Sequence, residues 1–132
     1  MNFNNEKYAN EITFDLEKVD QLIQLGKDLN EDVLSQLLRV HFETSEVQLH
    51  EIKQWSLQNK FLYIRAGAHK MKSSCGTLGL NKLHRLCADL ERYLTETSTI
   101  SGATVNAFVE GILKEYQYSK SLINQFNLKL GG

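Results

Sequence analysis

The chain has 132 residues, of which 42% are hydrophobic and 23% charged, values that are typical of one folded domain. Its 15 basic and 16 acidic side chains nearly cancel, which excludes a general attraction to nucleic acid or to an anionic membrane surface. The N-terminus lacks the pattern of a signal peptide, and no stretch approaches the roughly 20 apolar residues of a membrane span. We therefore expect a cytoplasmic protein without nucleic-acid or membrane partners.

The spacing of apolar residues predicts helices throughout. The chain contains no proline, which favours long uninterrupted helices. In chain order, the predicted helices run from Asp15 to Gly26, from Asn30 to a point between Trp55 and Asn59, from Asn59 to Gly79, from Asn81 through Leu94, and from Ser101 or Thr104 to Phe126.

Four long amphipathic helices joined by short loops most simply form an antiparallel up-down bundle. We therefore predict an all-α fold, a four-helix bundle with an additional short N-terminal helix over one end. In this interpretation residues 1–14 are a flexible arm, residues 15–127 form the domain, and residues 128–132 are a C-terminal tail.

The cysteines and most of the histidines lack the surroundings of a functional site. Cys75 and Cys87 lie within apolar helical patterns, so buried free thiols are expected rather than a disulfide or a zinc site. His41, His50 and His84 form no Glu-x-x-His pair of the di-metal bundles, and we expect them on the surface or at its rim. His84 and Cys87 share a helix face, which leaves metal binding by these two residues as an alternative.

His69 differs from the other histidines in its helical neighbours. It lies roughly 130° around the third helix from the centre of the apolar seam, so its imidazole should face solvent. Several residues near it on this outer face are small, including a mid-helix glycine that costs about 1 kcal/mol relative to alanine. A docking partner explains this clearing, and the predicted partner-binding residues are Leu62, Arg65, Ala66, Ser73, Gly76 and Gly79.

The residues around His69 favour phosphoryl chemistry. A neutral imidazole is a good nucleophile, and Lys72, three residues on, can stabilise negative charge on a phosphoryl group. The chain offers no glycine-rich phosphate loop, Walker lysine motif or acidic metal cluster. We therefore predict a phosphoryl carrier with no cofactor or metal site of its own, whose donor and magnesium belong to a partner.

One segment, AGAHKMKSSCGTLGLNKLHRLCADLE, resembles the signature of histidine-containing phosphotransfer (Hpt) domains, loosely A-H-x-h-K-G, a glycine ten after the histidine, then L-x-x-x-C-x-x-L-E. The sequence departs from it at Ser73, where the family usually has glycine. A weaker resemblance covers about residues 15 to 127 and includes Phe42. The matching positions are Ala68, His69, Lys72, Gly79, Leu83, Cys87, Leu90 and Glu91.

The resemblance implies a role in a two-component phosphorelay. Such domains accept a phosphoryl group from the aspartate of one receiver domain and pass it to another, while the receiver supplies the Mg²⁺. For this chain the implied partners are response-regulator receiver domains and a hybrid sensor histidine kinase, with His69 as phosphoacceptor on a monomeric bundle that is not itself an enzyme.

Two other classes of protein stay open at the sequence level. The phosphoacceptor dimerisation domain of a sensor kinase also exposes a histidine on a helix, although an acidic residue normally follows it there and Lys70 follows it here. A non-catalytic helical adaptor or metal-binding bundle is the second alternative. A histidine-dependent hydrolase lacks a recognisable nucleophile, orienting acid and oxyanion site.

Overall fold

The computed structural model describes residues 3–125, and within that range it contains helices and no strand. A short 3₁₀ segment precedes the first α-helix. No helix in this range is both long and apolar enough to cross a membrane. The prediction of an all-α protein is confirmed, and the five helices are α1 (Leu16–Leu29), α2 (Val33–Leu57), α3 (Phe61–Leu78), α4 (Asn81–Glu96) and α5 (Gly102–Gln125).

Helices α2 to α5 form a ring of antiparallel neighbours. Between α3 and α4, Gly76 lies against His84, whereas His69, seven residues earlier, meets Glu91, seven residues later. The last helix, α5, packs against both α4 and α2 and closes the ring. The four long helices therefore surround one core, as in an up-down bundle.

The core is built from the apolar seams of the helices. On α3 the residues spaced alternately by four and three positions are buried, which matches the period of a helix packed on one face. Because these positions face the core, the residues between them are left to solvent or to the edges of α2 and α4. The buried seam of α3 consists of Ile64, Ala68, Met71, Cys75 and Leu78.

The boundary between α1 and α2 differs from the prediction. Helix α1 continues beyond Gly26 to Leu29, and Asn30 is its C-cap in the left-handed conformation (φ 55°) rather than the N-cap of α2. Asp32 caps α2 instead, with its side chain accepting a hydrogen bond from the amide of Ser35. Asparagine tolerates the left-handed region better than most residues, which explains why it ends one helix here.

The apolar side chains of α1 are only partly used. Val19 is buried and Leu22 half-buried, but Leu16 and Leu25 are exposed. Helix α1 packs against α2 and, over a smaller area, against α3, so only part of its apolar face is covered. The predicted placement over one end of the bundle agrees with this packing.

The N-terminal segment is not a flexible arm in its described part. Tyr8 is only 1% exposed and its hydroxyl donates a hydrogen bond of 2.6 Å to Asp89. Phe3 packs against the core, and Lys7 lies 3.1 Å from the same carboxylate. The prediction for residues 1–14 is therefore wrong over residues 3–14, because the distant acid on α4 that binds this segment cannot be recognised from the N-terminal sequence.

The side chain of Asp89 is fully buried and carries the contacts that hold the N-terminal segment. Besides Tyr8 and Lys7, it is approached by Arg85 at 3.4 Å and by Arg92. Burial acts to raise the pKa of Asp89, but the hydrogen bonds from Tyr8, Lys7 and Arg92 outweigh it and hold the pKa below its usual value. The carboxylate is therefore ionised and paired at neutral pH.

We expect Asp89→Asn to lower the free energy of unfolding by about 1–3 kcal/mol, because the charged acceptor of several hydrogen bonds is lost from a buried position. Urea denaturation at pH 7 measures the change. Asp20→Asn, at an exposed position of α1, is the matched control and should stay within about 0.5 kcal/mol of the parent protein. Equal stability of the two variants would contradict the structural role of Asp89.

Candidate functional site

The imidazole of His69 stands in the middle of α3 and faces outward. Its side chain is 62% exposed, although Ala68 beside it and Met71 two residues on are buried. This contrast follows from the helical period, which directs Ala68 and Met71 to the core and His69 away from it. The predicted solvent-facing position of His69 agrees with the structure.

A carboxylate on α4 joins His69 to Lys72. The Nδ1 atom of His69 lies 2.8 Å from Oε1 of Glu91, and Nζ of Lys72 lies 2.8 Å from Oε2 of the same residue. Partial burial acts to raise the pKa of Glu91, but Lys72 and His69 outweigh it and lower the pKa. Glu91 is therefore an anion that bridges the imidazole and the ammonium group.

The contact with Glu91 determines which nitrogen of His69 is free to react. A carboxylate only accepts hydrogen bonds, so Nδ1 of His69 must carry the hydrogen. In the neutral ring the lone pair is then on Nε2, which has no hydrogen-bond partner among residues 3–125. An exposed imidazole in this tautomer presents Nε2 as a nucleophile.

Sequence reasoning recognised Glu91 as part of the signature but gave it no role. The position of Glu91 relative to the turn between α3 and α4 would have indicated its role. The turn at Gly79 and Leu80 separates α3 from α4, and antiparallel pairing about that turn places residues some ten positions to either side opposite one another. His69 and Glu91 lie at nearly equal distances from the turn, so a hairpin of helices brings them together.

A shallow groove between α3 and α4 leads to the imidazole. Two of its basic residues, Arg65 and Lys70, are exposed and place positive charge beside His69. Sequence analysis predicted Arg65 but not Lys70. The lining residues are Arg65, Ala66, His69, Lys70, Glu91 and Thr95.

The other predicted partner-binding residues separate into two groups. Leu62 is 72% exposed, and Ala66 and Ser73 are also exposed on the same helix as His69. Gly79 is instead buried at the end of α3, with φ 74°, and a Cβ there would lie 2.8 Å from Cβ of Lys18. The prediction that Gly79 lies on the docking surface is wrong, because this glycine is required by a left-handed turn.

Gly76 is half-buried, and its open side is occupied from within the molecule. A Cβ at this position would lie 3.2 Å from Nδ1 of His84. The missing side chain therefore admits the His84 ring. The sequence-based explanation of Gly76 by a docking partner overlooked this internal contact, since the approach of α4 is a property of the tertiary fold.

The comparison with known protein families identifies the family of this chain. A family model described as "Hpt domain" matches residues 36–117, which include His69, Lys72 and Glu91 and cover more than half of the chain. The chain belongs to the Hpt domain family. No curated protein and no solved structure gives a significant match.

Membership in the family confirms the resemblance drawn from the signature. Hpt domains are helical bundles that act in phosphotransfer in two-component signalling, as phosphocarriers without catalytic activity, and they interact with receiver domains. The match begins in α2 and ends within α5, so it covers the site but not α1 or the N-terminal segment of this Hpt domain.

The remaining histidines and the cysteines of this Hpt domain do not form a second site of the kind considered above. Cys75 and Cys87 are free and buried, as predicted. Nδ1 of His84 contacts the Lys72 carbonyl rather than a neighbouring thiol, and His50 is exposed. Among the residues the structure describes, no group of three or more histidine, cysteine or acidic side chains is arranged to hold a metal ion.

His41 is buried, contrary to the predicted surface or rim position. It is 3% exposed in α2, and its Nδ1 lies 3.2 Å from Oγ of Ser74. Burial lowers the pKa of His41 to about 4, because the imidazolium form loses its hydration in the core. The prediction failed because α3, through Ser74, packs against His41, a contact that the sequence of α2 does not show.

The buried His41 should make folding sensitive to acid. The unfolded chain takes up a proton near pH 6.5 and the folded chain only near pH 4, so stability falls as the pH drops through this window. Urea denaturation should show a loss of about 2 kcal/mol between pH 7 and pH 5 from this residue. His41→Leu should remove that pH-dependent part, whereas His50→Gln should retain it. An unchanged pH dependence in His41→Leu would refute the assignment.

Proposed function

We propose that this protein carries a phosphoryl group on His69 between the aspartates of receiver domains in a two-component phosphorelay. The observation that carries the proposal is the exposed imidazole of His69, which is hydrogen-bonded through Nδ1 to Glu91 with Lys72 on the same carboxylate. This arrangement leaves Nε2 available to a partner and places a cation one helical turn away.

The chemistry follows from the tautomer of His69. The lone pair on Nε2 attacks the phosphorus of a receiver's aspartyl phosphate. A nitrogen–phosphorus bond forms as the phosphorus–oxygen bond to the aspartate breaks, and the aspartate leaves as a carboxylate. The phosphorylated ring keeps its hydrogen on Nδ1 and becomes positively charged, so the anionic Glu91 stabilises the product. The reverse steps return the group to a second receiver.

Lys72 and the receiver have separate electrostatic tasks in this proposal. The Lys72 ammonium group is partly exposed, which allows it to approach the phosphoryl oxygens as negative charge develops on them. The receiver supplies Mg²⁺ and its acidic pocket, so the chain needs no cofactor or metal of its own. Arg65 and Lys70 beside the groove complement the acidic surroundings of such a pocket.

The proposed partners are response-regulator receiver domains and, as the source of the phosphoryl group, a hybrid sensor histidine kinase. Docking would use the exposed surface formed by Leu62, Arg65, Ala66, Ser73 and Lys70 around His69. Because α2 to α5 close their ring within one chain, we propose that the protein acts as a monomer. As its proposed partners act inside the cell, we also propose that it is cytoplasmic.

His69→Gln should abolish phosphoryl labelling by a phosphorylated receiver, because the amide lacks the nucleophilic nitrogen. Incubation with a ³²P-labelled receiver, followed by electrophoresis, measures the transfer, and the label should be lost in acid and retained in base. His50→Gln, at an exposed position of α2, should be labelled like the parent protein. Undiminished labelling of His69→Gln would refute the proposed acceptor.

Lys72→Ala should slow transfer at least about tenfold while the fold is retained, because a donor to the phosphoryl oxygens is removed. Rapid-quench kinetics with the labelled receiver measures the rate, and circular dichroism reports the fold. Lys114→Ala removes an exposed lysine of α5 as a control. A folded Lys72→Ala protein with the parent rate would exclude this role.

Glu91→Gln should slow transfer about 10- to 100-fold, because the amide can still accept from Nδ1 but no longer balances the charge of the phosphorylated ring. The same kinetic assay applies. Glu96→Gln, at an exposed position of α4, is the matched control with the same loss of charge. Equal rates for the two variants would show that the Glu91 charge does not contribute.

A further inference from the structure

We infer that His84 and Gly76 form a positioning pair that fixes Lys72 for transfer at His69. Neither residue touches the phosphoryl group in this inference, which rests on the proposed function of His69. The pair acts through the backbone of α3, at the residue whose side chain lies beside Glu91.

The first observation is the hydrogen bond between α4 and the backbone of Lys72. Nδ1 of His84 lies 2.8 Å from the carbonyl oxygen of Lys72, and since a carbonyl only accepts, the imidazole is the donor. In an α-helix this carbonyl also accepts from the amide four residues on, that of Gly76, through its other lone pair. His84 therefore adds a second, interhelical bond to the carbonyl of a functional residue.

The second observation is the spacing of two residues on α4. His84 and Glu91 are seven residues apart, which places them on one face of the helix about 10.5 Å apart along its axis. His84 contacts the backbone of Lys72, and Glu91 contacts its ammonium group. Helix α4 therefore contacts Lys72 both at its backbone carbonyl and at the end of its side chain.

The third observation is the space at Gly76. A Cβ there would lie 3.2 Å from Nδ1 and 3.4 Å from Cε1 of His84, tighter than most contacts of a real Cβ. Gly76 lies in the last turn of α3, where alanine would favour the helix more than glycine does, so the space that glycine leaves here needs a structural explanation. The imidazole of His84 provides that contact.

Together these contacts set the distance between α3 and α4 beside the site. A lysine side chain has four rotatable bonds and loses considerable conformational freedom when its end is fixed. Fixing the carbonyl of Lys72 fixes the position of its backbone relative to α4, so fewer side-chain conformations need to be excluded for its ammonium group to reach Glu91. The His84 bond should therefore keep Lys72 close to His69 in the resting protein.

The test compares His84→Ala, His84→Asn and Gly76→Ala in the complete chain. We expect about two- to tenfold slower transfer from a phosphorylated receiver for His84→Ala and for Gly76→Ala. His84→Asn, whose amide nitrogen can replace Nδ1 as donor, should restore most of the rate. The double variant Gly76→Ala/His84→Ala should be no slower than the slower single variant, because both changes break the same contact. His50→Ala is the control.

NMR relaxation of the Lys72 ε-methylene group supplies a readout that does not depend on transfer. The group should be ordered in the parent protein and in His84→Asn, and more mobile in His84→Ala. If the parent protein fails to accept phosphoryl groups, the proposed function is wrong, but this measurement still decides whether His84 orders Lys72. An unchanged Lys72 order in His84→Ala, or an unchanged rate alongside normal transfer by the parent, overturns the inference.

Discussion

The side-by-side packing of α3 and α4 is the constraint on which the site depends. One carboxylate, Glu91, links the imidazole of His69 to the ammonium group of Lys72 across this interface. The link requires the two helices to be antiparallel and close, which the turn at Gly79 permits. An exposed nucleophile can thus be held in one tautomer by a neighbouring helix without being buried.

The two faces of α4 have different tasks. The face toward α3 carries His84 and Glu91, which contact Lys72 at its backbone and its side chain. Asp89 on another side of α4 is buried and paired with Tyr8 of the N-terminal segment. A single helix therefore connects the site to the part of the chain that lies farthest from it in sequence, and changes at either face should affect the placement of the same helix.

Much of the fold and part of the site follow from the sequence because they depend on local spacing. The apolar seam of α3 predicts both its buried residues and the outward position of His69. The roles of Gly76 and Gly79 did not follow. The sequence alone does not distinguish a glycine that clears a docking surface from one that lies against a neighbouring side chain, as Gly76 does, or one that adopts a left-handed turn, as Gly79 does. The same limit applies to His41, whose burial depends on the approach of α3, and to Tyr8, whose partner lies 81 residues away.

The buried contacts of the N-terminal segment and α1 determine how far the chain can be truncated without exposing the core. The family match covers residues 36–117, but Tyr8 fills a place in the core and α1 packs on the end of α3 at Gly79. Ser119 and Ile123, beyond the match, are buried as well. A fragment cut to the matched residues would keep His69, Lys72 and Glu91 yet leave Asp89 without its phenol partner and open the core at both ends. The set of residues that shares the buried core is therefore larger than the segment that the family match covers.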